Sequence, residues 1–192
     1  MLLAQIRPAI VSLVLFTGIT GVLYPLLVTG IAQVAFHKQA QGSLIVSSEG
    51  KILGSSLIGQ NFDDPKYFWS RISATSPSYN ASSSSGSNLG PSNPALLDEV
   101  KARITALKAA DPNNNDLIPV DLVTSSGSGL DPHISLAAAH YQLARVARAR
   151  GLKKELVQKI VDQNTQGRFL GMLGEPVVNV LKVNLALDEY KK

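Results

Sequence analysis

The chain has 192 residues, a net charge of +4 and an isoelectric point near 9.4, with no cysteine and three histidines. The missing cysteine excludes disulfides, thiolate chemistry and cysteine-based metal sites. The positive charge is spread along the chain rather than gathered into a run, so it does not make a nucleic-acid footprint.

The stretch from Pro8 to Phe36 carries no ionisable side chain other than the phenol of Tyr24. At about 1.5 Å per helical residue, roughly 20 apolar residues cross a bilayer core, and a lone segment in lipid satisfies its backbone only as a helix. Residues 1–8 therefore read as a short tail, 9–36 as one transmembrane helix and 37–192 as a soluble domain. Gly30-Ile31-Ala32 imperfectly matches a signal-peptidase site, but the apolar run before it is longer than the signal-peptide core of about 7 to 15 residues. An uncleaved anchor is expected. Arg7 and the amino terminus nearly balance Lys38 and Lys51, so flanking charge leaves the orientation open. Inside the helix, Thr17, Gly18 and Gly21 share a face that lets a neighbouring helix approach closely. Pro25 removes a backbone donor and predicts a kink.

Ser43 to Val46 and Ile52 to Ile58 read as two strands joined by a turn, with Gly54 and Gly59 marking limits or a bulge. Phe62, Tyr67, Phe68 and Trp69 then cluster as core anchors. Residues 73–93 form a serine-rich loop. Its composition fits a flexible linker, while Pro77, Tyr79, Leu89, Pro91 and Pro94 fit equally an ordered loop lying on the domain. Asn93 as cap and Pro94 at the first helical position open an amphipathic helix over 94–110, with Leu96, Val100, Ile104 and Leu107 on one face. Asp111-Pro112 and Asn113 to Asn115 end it.

Val120 to Thr124 reads as a short strand. Ser135 caps the helix that follows and Gly151 closes it. Leu136, His140, Leu143 and Ala147 share a face of that helix, and Arg145, Arg148 and Arg150, with Lys153 and Lys154, read as a solvated basic group. A second helix from Lys153 to Gln163 turns Leu156, Val157, Ile160 and Val161 inward. Val177 to Leu187 alternates with the period of a half-buried strand, with Lys182, Asn184 and Asp188 facing away. The expected fold is α+β: one N-terminal transmembrane helix, then a single mixed domain.

No phosphate-cradling Gly-x-x-x-x-Gly-Lys motif and no Gly-x-Ser-x-Gly elbow occurs. The loop Ser125, Ser126, Gly127, Ser128, Gly129, Leu130, Asp131 offers backbone amides between a strand and a helix, where an anion can be held. Pro132 stands where a dinucleotide fingerprint needs its third glycine, so a tight structural turn is the favoured reading. His133 and His140 fall two turns apart if both are helical, too far to share a metal easily. Asp131 near His133 and Ser125 or Ser128 is not thereby a triad. No catalytic residue and no metal site is expected.

Several blocks in order carry a resemblance. They are Tyr24-Pro25-Leu26-Leu27, Gly54 to Phe62, Tyr67 to Arg71, Ser85 to Pro91, Thr124 to Ser135, Arg145-Val146-Ala147, and Val178 through Asp188. In these the chain resembles the C subunits (KdpC) of the bacterial high-affinity potassium-transporting P-type ATPases, the Kdp complexes. The likeness covers nearly the whole chain. Ile72 departs from it, since proline is expected after Arg71.

The resemblance implies a non-catalytic subunit of a four-subunit pump, and the chain indeed lacks the Asp-Lys-Thr-Gly-Thr motif of the phosphorylated subunit. Its implied partners are a potassium-selecting channel-like subunit, the P-type catalytic subunit, a small fourth membrane subunit and the lipid bilayer. It further implies a catalytic chaperone that raises the catalytic subunit's affinity for ATP, with no tightly bound cofactor of its own. ATP is then reached through the catalytic subunit, although the Ser/Gly loop has been compared with a nucleotide-binding signature. The implied location is the bacterial inner membrane, single-pass, with the domain on the extracytoplasmic side.

Overall fold

In the computed structural model, residues 2–190 are described. They divide into two compact units, one up to Leu44 and one from Ile45 onward. In the first unit α1 (Leu2–Phe16) runs into a π-helical segment (Thr17–Leu23) and then α2 (Tyr24–Ala35), followed by a single turn α3 (His37–Ala40). Helix thus begins well before Pro8, in what the sequence presents as a tail. Among the described residues this is one helix, Ala4–Ala35, long and apolar enough to cross a membrane.

The disturbance at Pro25 takes the form of π-helix, for a local reason. Pro25 has no N–H to return to the carbonyl four residues back. The N–H of Tyr24 instead reaches five residues back, to the Ile19 carbonyl, the register of a π-turn. The Thr20 hydroxyl donates to the Phe16 carbonyl at 2.6 Å.

At the boundary begins a hairpin of β1 (Leu44–Val46) and β2 (Ile52–Ser55), the latter ending three residues before the expected Ile58. Helix α4 (Pro94–Ala110) starts as predicted, with the Asn93 side chain accepting from the Ala95 N–H. Where a strand is expected at 120–124 there is one 3-10 turn, Val120–Leu122. Strand β3 (His133–Ser135) leads directly into α5 (Leu136–Arg150). The Ser135 hydroxyl accepts from Ala138 N–H, and Gly151 closes the helix in the left-handed conformation at φ 66°. Helix α6 (Lys154–Gln163), β4 (Thr165–Gln166), β5 (Val177–Asn179) and α7 (Val180–Glu189) complete the domain.

The sheet runs β3-β5-β4, all antiparallel, with Ile134 opposite Val178 and Thr165 opposite Val178. Helices α5 and α6 pack on each other, and α6 on α7. The core holds Phe68, Trp69, Leu122, Ile134, Leu143, Val146, Val157, Val161, Val178, Val183 and Leu187.

The long strand expected over 177–187 is corrected to a three-residue strand and a helix. Asn179 ends the strand and caps α7, accepting from Lys182 N–H. Residues Val180, Leu181, Val183, Asn184 and Leu187 are then the buried face, a helical spacing that the alternation of Val177, Leu181, Val183 and Leu187 concealed.

The segment from Pro65 to Ser70 crosses the core without joining a sheet, so its peptide groups need partners. Side chains supply them in succession. Arg145 donates to the Pro65 carbonyl and Arg150 to that of Lys66. The Asn184 amide accepts the Phe68 N–H at 2.8 Å and returns a bond to the Phe68 carbonyl at 3.0 Å. Gln142 brackets Trp69 in the same way, at 2.7 and 3.2 Å, and Arg103 donates to the Ser70 carbonyl. Arg103 and Arg145 also lie within about 5 Å of the Trp69 ring, a stacking that attracts a cation to the ring face.

The solvated basic group is corrected in part: Arg145 and Arg150 are buried, while Arg148, Lys153 and Lys154 are exposed as expected. Burial holds the Arg145 guanidinium down to about 10, against the partial support of Asp111. His140, expected on the inner face of α5, is exposed.

Candidate functional site

The Ser/Gly loop sits between the 3-10 turn and β3. Ser125 makes an isolated parallel bridge with Ile72, the position where the resemblance leads to proline. Ser126 and Gly129 are buried, while Gly127 and Ser128 face outward. The turn closes on itself through Gly129 N–H to Ser126 carbonyl at 3.3 Å and Leu130 N–H to the Ser128 hydroxyl at 3.1 Å.

What fills the space against this loop is the chain itself. The serine-rich segment is ordered on the domain, the second of its two alternatives. Ser85 N–H and the Ser84 hydroxyl both donate to the Ser128 carbonyl, at 3.0 and 2.9 Å. The Ser73 hydroxyl donates to the Gly129 carbonyl at 2.7 Å, and the Ser125 and Ser87 hydroxyls meet at 3.2 Å. Gly129 has φ +68°, and a Cβ there would lie 2.5 Å from the Ser85 carbonyl oxygen and 2.7 Å from Thr75 Cγ2. Glycine is required on both counts. A Cβ on Gly127 would meet nothing within 4 Å.

Asp131 ties the loop to the rest of the domain. One carboxylate oxygen accepts from Arg71 at 3.1 Å and the other from His133 N–H at 3.0 Å, with the His133 ring 3.5 Å away. The Arg71 guanidinium also donates to the Ser125 carbonyl at 3.0 Å, and the Leu130 carbonyl accepts from Gly59 N–H. Burial raises the Asp131 carboxyl, but the His133 bonds and the Arg71 charge together outweigh it and hold it below the usual carboxylate range.

The structure therefore brings Ser125, Ser128, Gly129 and Asp131 together with Arg71, Ser73, Ser84, Ser85 and Ser87. Sequence reasoning singled out the loop but missed these partners. Arg71 ends one resemblance block and the three later serines lie in or beside another, which was the only signal available. His133 and His140 are not brought together: His133 faces Asp131 and His140 faces Gln158. Among the described residues no group of three or more His, Cys, Asp or Glu is placed to hold a metal.

In the other unit, Thr17 and Gly21 share one face: a Cβ on Gly21 would lie 3.8 Å from Thr17 Cγ2. With backbone bonds spanning five residues, the four-residue pair Thr17–Gly21 stacks more directly than the three-residue pair Gly18–Gly21.

A membrane-length apolar helix followed by an α+β domain whose glycine loop is clasped by its own serine-rich segment defines the class: a single-span, membrane-tethered domain. Residues 6–189 match the family described as KdpC: K+-transporting ATPase, c chain. The chain belongs to that family. It is 61% identical over 188 residues to a potassium-transporting ATPase KdpC subunit of Sorangium cellulosum, covering 97% of this chain and 98% of the relative. The corresponding subunit of Dechloromonas aromatica is 63% identical over 188 residues, with the same coverage. That of Polaromonas naphthalenivorans is 64% identical over 187 residues, covering 97% and 95%.

Proposed function

We propose that this chain is the non-catalytic accessory subunit of an ATP-driven, high-affinity potassium uptake pump in a bacterial inner membrane. The observation that carries the proposal is the family match over residues 6–189, which spans anchor and domain together. In this reading the anchor packs through Thr17, Gly18, Gly21 and Pro25 against membrane helices of the channel-like potassium-selecting subunit, the P-type catalytic subunit and the small fourth subunit. The domain lies on the extracytoplasmic side and steadies the ion-selecting subunit at its entrance. It raises the catalytic subunit's affinity for ATP by stabilising the assembly, as a catalytic chaperone that does not itself hold the nucleotide. Two features support an indirect effect: the N–H groups of Gly129 and Leu130 are already taken up by the Ser126 carbonyl and the Ser128 hydroxyl, and Gly129 is closely covered by Ser85.

The test is co-expression with the other subunits. Exchanging the anchor, or Gly21→Leu, abolishes co-purification, and pumps lacking the chain show a raised KM for ATP. A reporter fused after Lys192 reads extracytoplasmic. A cytoplasmic reporter, with saturable ATP binding by the full chain that Gly127→Ala abolishes, overturns the proposal in favour of a nucleotide-binding module.

A further inference from the structure

Between β4 and β5 the chain turns back on itself over Phe169 to Leu173. Phe169 and Leu173 exchange both backbone hydrogen bonds, at 2.8 and 3.0 Å, as an isolated antiparallel bridge. The three residues between them are Leu170, Gly171 and Met172. Phe169, Leu170, Met172 and Leu173 are 68%, 74%, 76% and 62% exposed. Soluble surfaces scatter such residues singly, and a contiguous apolar patch usually marks an interaction site. Leu170 adds a second oddity. It sits at φ +51°, a left-handed conformation that Gly or Asn adopts at lower cost.

The chemistry of the finger narrows what it meets. From Thr165 to Pro176 the charged side chains are Arg168 and Glu175 alone, and these neutralise each other through contacts of 2.8 and 2.9 Å. A loop that enters lipid leans on flanking tryptophan or excess lysine and arginine, and here neither is present. Four side chains of this size and exposure offer on the order of 500 Å², short of the roughly 800 Å² per partner of a stable two-protein interface. The finger is therefore too small to hold a second copy of the chain by itself. It suffices as one contact among several, the situation of a subunit already held in place by its anchor, where the second contact forms intramolecularly. Its closed backbone lowers the ordering cost of docking.

We infer that residues 169–173 form a preorganised apolar finger that docks into an uncharged apolar groove on a partner subunit of the transport ATPase. This rests on the subunit reading above and names a surface for it.

The experiment uses the full chain co-expressed with the other pump subunits in membranes. A photo-crosslinking residue at Met172 is expected to label one pump subunit. The double variant Leu170→Asn, Met172→Asn is expected to lower co-purification about tenfold while leaving the unfolding midpoint, read by Trp69 fluorescence, no lower than that of the wild type. Labelling of lipid alone or of a second copy overturns the inference, as does wild-type recovery of the double variant. Failure of the wild-type chain to co-purify at all overturns the subunit reading and this inference with it. Wild-type assembly with an unlabelled, indifferent finger overturns the finger alone.

Discussion

The two glycines of the Ser/Gly loop give the sharpest separation between a clasp and a phosphate cradle. A cradle brings a phosphate against the backbone of both, so a Cβ on either one keeps the ligand away. A clasp makes unequal demands. At Gly129, alanine in the left-handed region costs about 1 kcal/mol. Its Cβ also falls 2.5 Å from the Ser85 carbonyl oxygen, a backbone atom that moves only with its segment. That shift strains the bonds from Ser85 N–H to Ser128 and from the Ser73 hydroxyl to Gly129, each worth about 1 kcal/mol. Gly129→Ala is thus expected to cost about 3 kcal/mol, or about 6 to 12 °C in Tm for a domain of this size. Gly127→Ala, facing open space, is expected to stay within about 0.5 kcal/mol. Urea unfolding of the full chain in detergent measures both through Trp69, the chain's one tryptophan and a buried one. Equal losses at the two positions refute the clasp, as does a Gly129→Ala variant as stable as wild type.

Asn184→Leu keeps the branched shape but strips the Phe68 peptide of both its partners in a buried site, and is expected to cost about 2 to 4 kcal/mol in the same urea assay. Arg145→Met removes the cation from one face of Trp69 and the donor from the Pro65 carbonyl. The expected result is an altered Trp69 emission spectrum together with a lower urea midpoint. Asp131 has a folded-state pKa below its unfolded value, so its contribution to stability is fully present above about pH 4 and is lost as pH falls through the depressed value. Asp131→Asn is therefore expected to be less stable than wild type at neutral pH, with the gap closing in acid-titrated melts as both forms become uncharged.

The anchor and the caps were legible in the residues because they depend on local chemistry. An uncharged run long enough to cross lipid, Asn93 before Pro94, Ser135 before α5 and Gly151 after it each act on backbone groups within a turn of themselves. The aromatic cluster was also legible, since Phe68 and Trp69 have few ways to avoid burial. Pro25 announced a disturbance in the anchor, but its π-helical form came from which carbonyl the Tyr24 N–H reached.

Tertiary structure decided the rest where a residue's role belongs to a distant partner. Asn184 looks solvent-facing in a strand pattern and is instead a buried helix residue, because its amide answers Phe68 116 positions away. Arg145 and Arg150 look like a solvated face, yet they turn inward because the Pro65 and Lys66 carbonyls have no strand beside them. The serine-rich segment is compatible with either order or flexibility until the Ser128 and Gly129 carbonyls stand opposite its hydroxyls. Polar groups satisfied across the fold leave no periodic trace along the chain, so composition and spacing could identify the anchor and the helix ends but not the clasp.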